Sequence, residues 1–96
     1  MAETLKKIIE YLNNGNLTRA FALCETSKDK KNEHIIFNIK GVILFKQEKL
    51  ELAKIEFLKS IKLDESFIDP HKNLFKLNLK SQDFKSAIDN AKKVLE

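Results

Sequence analysis

The chain repeats itself, and the repeat leaves few folds open. Leu17-x-x-Ala20-x-x-x-Cys24-x-x-Ser27 lines up with Leu50-x-x-Ala53-x-x-x-Phe57-x-x-Ser60 and with Phe84-x-x-Ala87-x-x-x-Ala91-x-x-Val94. Spacing inside the three segments is identical, and successive segments lie 33 and then 34 residues apart. A period of this length marks a supersecondary unit that buries its apolar face against its neighbours. Each segment follows a stretch of helical period. Leu5, Ile8, Ile9 and Leu12 carry it in the first unit, and Phe37, Gly41, Leu44 and Phe45 in the second. Leu74, Phe75 and Leu77 carry it, less regularly, in the third. Each unit therefore reads as two amphipathic helices joined by a short polar turn.

The turns fit this reading. Asn13-Asn14-Gly15-Asn16 is a helix-stop signal, because Gly and Asn enter the left-handed conformation at little cost. The equivalents, Gln47-Glu48-Lys49 and Ser81-Gln82-Asp83, lack Gly and predict strained or differently capped turns. Ser27-Lys28-Asp29-Lys30 and Leu63-Asp64-Glu65-Ser66 read as polar breaks between units. Asp69-Pro70 predicts a helix start with Asp as cap and Pro in the first turn. Only 2 Gly and 1 Pro occur in 96 residues, which favours long helices with short connections. The expected helices are 2–13, 17–27, 34–47, 50–62, 68–80 and 84–95, with no strand.

On these residues the chain resembles the tetratricopeptide repeat (TPR) family, whose unit is a helix–turn–helix of about 34 residues. The middle unit matches best. Phe37 stands at the family's first aromatic position, Gly41 at its small helix-crossing position, and Leu44 at the next large apolar one. Ala53, Phe57 and Ser60 hold its small–aromatic–small positions, and Leu63-Asp64-Glu65 resembles its Leu-Asp-Pro terminator with Glu65 for Pro. The first unit matches through Tyr11, Gly15, Leu17, Ala20 and Ser27, with Ile8 in place of the small residue. The third matches through Leu74, Phe84, Ala87 and Ala91, with Phe75 at the small position and Asn78 at an apolar one. The resemblance implies one all-α domain over 1–96, a right-handed α-α superhelix of three repeats near 1–33, 34–67 and 68–96.

Little in the sequence speaks of catalysis. It contains no Cys/His metal spacing, no Gly-rich phosphate loop and no Ser nucleophile elbow. His34 falls at a helix start, and His71 at a packing position of the repeat. Cys24 sits on the buried stripe of a second helix, where an inert core thiol is the simplest reading. No enzyme activity, cofactor or metal is expected. A single Cys cannot form an internal disulfide, and no apolar run is long enough for a signal peptide or a membrane span. A reducing, cytoplasmic setting follows as the expectation.

The net charge of +4 raises nucleic acid or an acidic surface as a partner. Arg19 is the only Arg, however, and the lysines alternate with Asp and Glu as on a solvated helix surface. The densest cluster, Lys28-Asp29-Lys30-Lys31, falls in a predicted loop. Nucleic acid is therefore the weakest partner class, limited to non-specific contact through Lys72, Lys76, Lys80, Lys92 and Lys93.

What remains is a protein-binding surface. In the TPR family the first helices of the repeats line a concave peptide groove. Carried onto this chain, that groove has Leu5, Ile9 and Asn13 from the first unit and Asn38, Val42, Phe45 and Lys46 from the second. The third adds Asp69, Lys72, Asn73, Lys76 and Lys80. The implied ligand is a peptide with an apolar part and an acidic part. The competing reading assigns Leu5, Ile9 and Val42 partly to the core and the lysines to a solvated face. The Lys and Asn positions with which some TPR domains grip acidic chaperone tails are occupied here by Leu5, Ile9, Ile39, Asp69 and Asn73, so that specialisation is not expected.

TPR arrays usually end with an extra helix over the last pair, and the third unit closes at Lys93-Val94-Leu95-Glu96 with none. Phe75, Leu79, Ile88 and Leu95 are then expected on an exposed apolar face. A domain cut from a longer protein, a homodimer through that face, and plain tolerance of exposure each account for it. The sequence thus predicts an interaction module or scaffold that takes a peptide in its groove or self-associates through the last repeat. The alternative is the N-terminal accessory domain of a larger bacterial transferase.

Overall fold

The computed structural model describes residues 2–96; Met1 of the first repeat lies outside them. Among these residues the chain forms α-helices and no strand, in the order α1 (Ala2–Asn13), α2 (Leu17–Thr26), α3 (Glu33–Lys46), α4 (Leu50–Leu63), α5 (Asp69–Lys80) and α6 (Phe84–Leu95). Every expected helix is present, with its ends within one residue of expectation.

The turn inside each helix pair is the same object three times. Asn16 N–H donates to the Tyr11 carbonyl (2.8 Å), Lys49 to Leu44 (2.9 Å) and Asp83 to Asn78 (2.8 Å). One residue earlier, Gly15 donates to Leu12, Glu48 to Phe45 and Gln82 to Leu79. This is the Schellman closure, which needs a left-handed residue just past the helix. Gly15 takes that conformation at φ 79°, and Glu48 and Gln82 are forced into it at φ 65° and 64°. The expected strain at the two glycine-free turns is thus located on single residues. The next residue starts the second helix with nearly constant geometry: φ/ψ is −85°/73° at Asn16, −96°/70° at Lys49 and −88°/77° at Asp83. Asn16 and Asp83 cap with their side chains, accepting from the Arg19 and Ser86 amides, whereas Lys49 cannot. Hydrogen bonds from Ser86 hold the Asp83 carboxyl below its ordinary pKa.

Asp69 corrects one expectation. It lies inside the first turn of α5, and the cap position belongs to Ile68, which makes no side-chain bond. Asp69 instead places a negative charge at the positive end of the helix. The break before it is closed by Asp64, whose carboxylate accepts from the Ser66 amide (3.0 Å) and hydroxyl (2.6 Å).

Each helix packs on its chain neighbour, and α3 also touches α5. The core is accordingly serial. Ile8, Ala20 and Cys24 meet Ile36, Ile39 and Ile43 in one cluster; Leu44, Ala53 and Phe57 meet Leu74 and Leu77 in the next, and Phe21 touches both. The close crossing of α3 and α4 is fixed by Gly41: a Cβ there would collide with the ring of the fully buried Phe57.

Two substitutions test the turn argument. Gln82→Gly removes a side chain from a left-handed position, and Lys49→Asn supplies the missing cap. Each should raise unfolding free energy by about 0.5–1 kcal/mol in denaturant titration.

Candidate interaction surface

The residues expected in a concave groove divide into two groups. Leu5 is half-buried against the first core cluster, and Val42 and Phe45 against the second. Asn38 is buried, and its Oδ1 accepts a hydrogen bond from Asn73 Nδ2 (3.0 Å), tying α3 to α5. These five side chains are committed to the fold itself. Ile9, Asn13, Lys46, Asp69, Lys72, Lys76 and Lys80 stand exposed. Lys80 is drawn inward: its ammonium pairs with Glu48 (3.0 Å) and lies 6.0 Å from the centre of the Phe45 ring. Among the described residues, Lys72 and Lys76, one helical turn apart, have no such partner.

The end of the stack is more open. Helix α6 is amphipathic, with Phe84, Ile88, Ala91 and Leu95 at i, i+4, i+7 and i+11 on one face. Ala87 is buried and Val94 half-buried, so that side of the helix packs on α5. The side facing away does not: Phe84 is 59% exposed, Ile88 57% and Leu95 86%. Phe75 is half-buried and Leu79 exposed on α5. Phe75, Ala91, Val94 and Leu95 form the apolar wall of a groove between α5 and α6, bordered by Lys72 and Lys76. Its volume of about 280 Å³ lies at the lower edge of small-molecule pockets and is better matched to protruding side chains. Of the residues expected on the terminal face, Phe75 and Leu95 meet in this groove. Leu79 and Ile88 lie one turn away from Phe75 and Ala91, toward the α5–α6 turn.

The sequence reading missed an internal ion network. Lys40 is the only charged residue between His34 and Lys46, on a stretch of α3 that is otherwise apolar but for Asn38. Its ammonium pairs with Glu25 of α2 and Glu56 of α4 (3.4 Å to the latter) and lies 5.5 Å from the Phe21 and Phe37 ring centres. Lys59 adds a second contact to Glu56 at 3.4 Å. Glu56 is buried, and its Oε1 accepts no hydrogen bond among the described residues despite the nearby ammonium. Burial works to depress the Lys40 pKa, but the hydrogen bond to Glu25 and the charges of Glu56 and Glu25 outweigh it and raise the value. The network's stabilisation is therefore complete below the ordinary lysine range and is lost as pH rises through the elevated folded value. A lysine alone in an apolar helix stretch was the available signal; its partners lie on other helices.

The cysteine and the two histidines make internal contacts. Cys24 is buried, and desolvation pushes its thiol up to about 11, against the pull of Lys40, so it stays protonated at neutral pH. His71 is buried and donates from Nε2 to the Glu65 carbonyl (3.2 Å). His34 packs edge-on against Phe67 at 5.2 Å, and its carbonyl accepts from the buried Ser60 hydroxyl (2.7 Å). The basic loop residues Lys28, Lys30 and Lys31 are exposed. No described helix is long and apolar enough to cross a membrane. No protein-family model matches the chain, and no curated protein matches it either.

Replacing Lys40 by Met leaves Glu56 buried with only Lys59 beside it. The substitution should cost roughly 2–3 kcal/mol in chemical denaturation, and adding Glu56→Met should restore part of that loss.

Proposed function

We propose that the chain is a TPR-like stack of three helical hairpins that serves as a protein–protein interaction module. The identical turns and the serial core support the repeat reading, since a stacked array buries each unit against the next. The observation that carries the functional reading is the open apolar side of α6, with Phe84, Ile88 and Leu95 largely in water. Contiguous apolar surface of this kind marks an interaction site more often than a tolerated exposure. The concave face contributes less than its sequence suggests, because Asn38, Asn73, Val42 and Phe45 already serve internal contacts.

The reading is tested by converting the open side of α6 to charge. Phe84→Lys with Ile88→Lys should leave the melting temperature close to that of the unmodified chain, because both side chains are more than half exposed. The same variant, immobilised and exposed to an extract of its source cells, should lose the proteins that the unmodified chain retains. An unchanged set of retained proteins would remove this face from the function.

A further inference from the structure

We infer that the groove between α5 and α6 receives an amphipathic helix of a partner protein, one with acidic residues a turn apart beside its apolar stripe. This rests on the interaction-module reading and names the kind of partner.

The shape of the occupant follows from the repeat. At the positions of Phe84, Ile88 and Ala91, the first unit has Leu17, Phe21 and Cys24 and the second has Leu50, Lys54 and Phe57. All six are buried or half-buried, and in both units the following helix, α3 or α5, packs against that second helix. On α6 two of these positions, Phe84 and Ile88, carry large apolar side chains that remain open, and the third is the half-buried Ala91. A helix laid there as α5 lies on α3 and α4 would cover them. The pocket wall of Phe75, Ala91, Val94 and Leu95 would take its leucine-type side chains.

The charge of the occupant follows from what the repeat changes. The surface that α5 meets on α3 includes Asn38 and Val42, and Asn73 of α5 answers Asn38 with an amide. The equivalent residues on α5 are Lys72 and Lys76. A helix in the groove meets two unpaired ammonium groups where α5 meets an amide and a valine. Carboxylates at i and i+4 on the incoming helix satisfy both, and like charge there is repelled. A second copy of this chain answers this poorly. Its exposed helix faces mix both signs, Glu3, Lys6, Lys7 and Glu10 on α1 and Lys85, Asp89, Lys92 and Lys93 on α6, and neither sets two carboxylates one turn apart.

Three fluorescent peptides as long as α5 test the inference by anisotropy at physiological salt. The first has a leucine stripe flanked by Glu residues one turn apart. The second has Lys in place of Glu, and the third keeps the first composition with the stripe scrambled. The acidic amphipathic peptide should bind about tenfold or more tightly than either of the others. Lys72→Glu with Lys76→Glu should reverse the preference between the first two peptides. These lysines are exposed and unpaired, so the variant should fold; a retained helical melt verifies it. Equal binding of the basic peptide, or equal binding of the scrambled acidic one, would overturn the assignment. So would a dimer in sedimentation that Leu95→Lys converts to a monomer, which would make the occupant a second copy. If all three peptides fail while Phe84→Lys with Ile88→Lys still loses its retained proteins, the helix assignment falls and the interaction-module reading stands.

Discussion

The contact between Gly41 and Phe57 sets the terms on which the helices pair. α3 can approach α4 closely only because one side of the crossing has no side chain, and the ring opposite then fills the space completely. The other two pairs solve the same problem with different residues. At the equivalent positions the first unit has Ile8 against Cys24, and the third has Phe75 against Ala91. Read singly, Ile8 and Phe75 look like violations of a small-residue rule. Taken as pairs, each set of positions holds one bulky and one smaller side chain; Ile8 and Phe57 are fully buried, whereas Phe75 is only half-buried. In the third pair the bulk lies on α5 and Ala91 takes the place of a fully buried ring, and the groove beside Phe75 opens at that point.

Polar contacts fix how helices sit within a hairpin and between hairpins. The Asn38–Asn73 amide pair is satisfied only when α3 and α5 are in register, and the Ser60 hydroxyl reaches the His34 carbonyl only when α4 lies against the start of α3. Lys40 links three helices at once through Glu25 and Glu56. The Asn78–Asn90 bond (2.7 Å) does the same inside the last pair, where the repeat pattern would put an apolar residue. Apolar contact supplies most of the driving force for stacking, and these pairs select among its near-equivalent arrangements.

Helix order and limits were legible because period, turn chemistry and repeat spacing are local signals that agree with one another. Glu48 and Gln82 could be picked out as strained without coordinates, since their turns align with Gly15. The surface was harder to read. Whether Asn38 faces a ligand or Asn73 depends on the angle at which α5 meets α3, and the spacing of residues within a helix does not encode that angle. Lys40 likewise looks like a solvated charge until α2 and α4 bring Glu25 and Glu56 to it. The exposed face of the last helix pair was expected at Phe75, Leu79, Ile88 and Leu95; the structure leaves Phe75 half-buried and adds Phe84.

The central claim is that paired helices cross at a shared volume, with a small residue on one side required by a large one on the other. A double-mutant cycle between Gly41→Ala and Phe57→Leu measures this directly in equilibrium unfolding. The account predicts that Gly41→Ala is destabilising by about 1–3 kcal/mol in the unmodified chain and by at least about 1 kcal/mol less when position 57 is Leu. Strict additivity of the two substitutions would mean that the crossing is not limited by this contact, and would contradict the account.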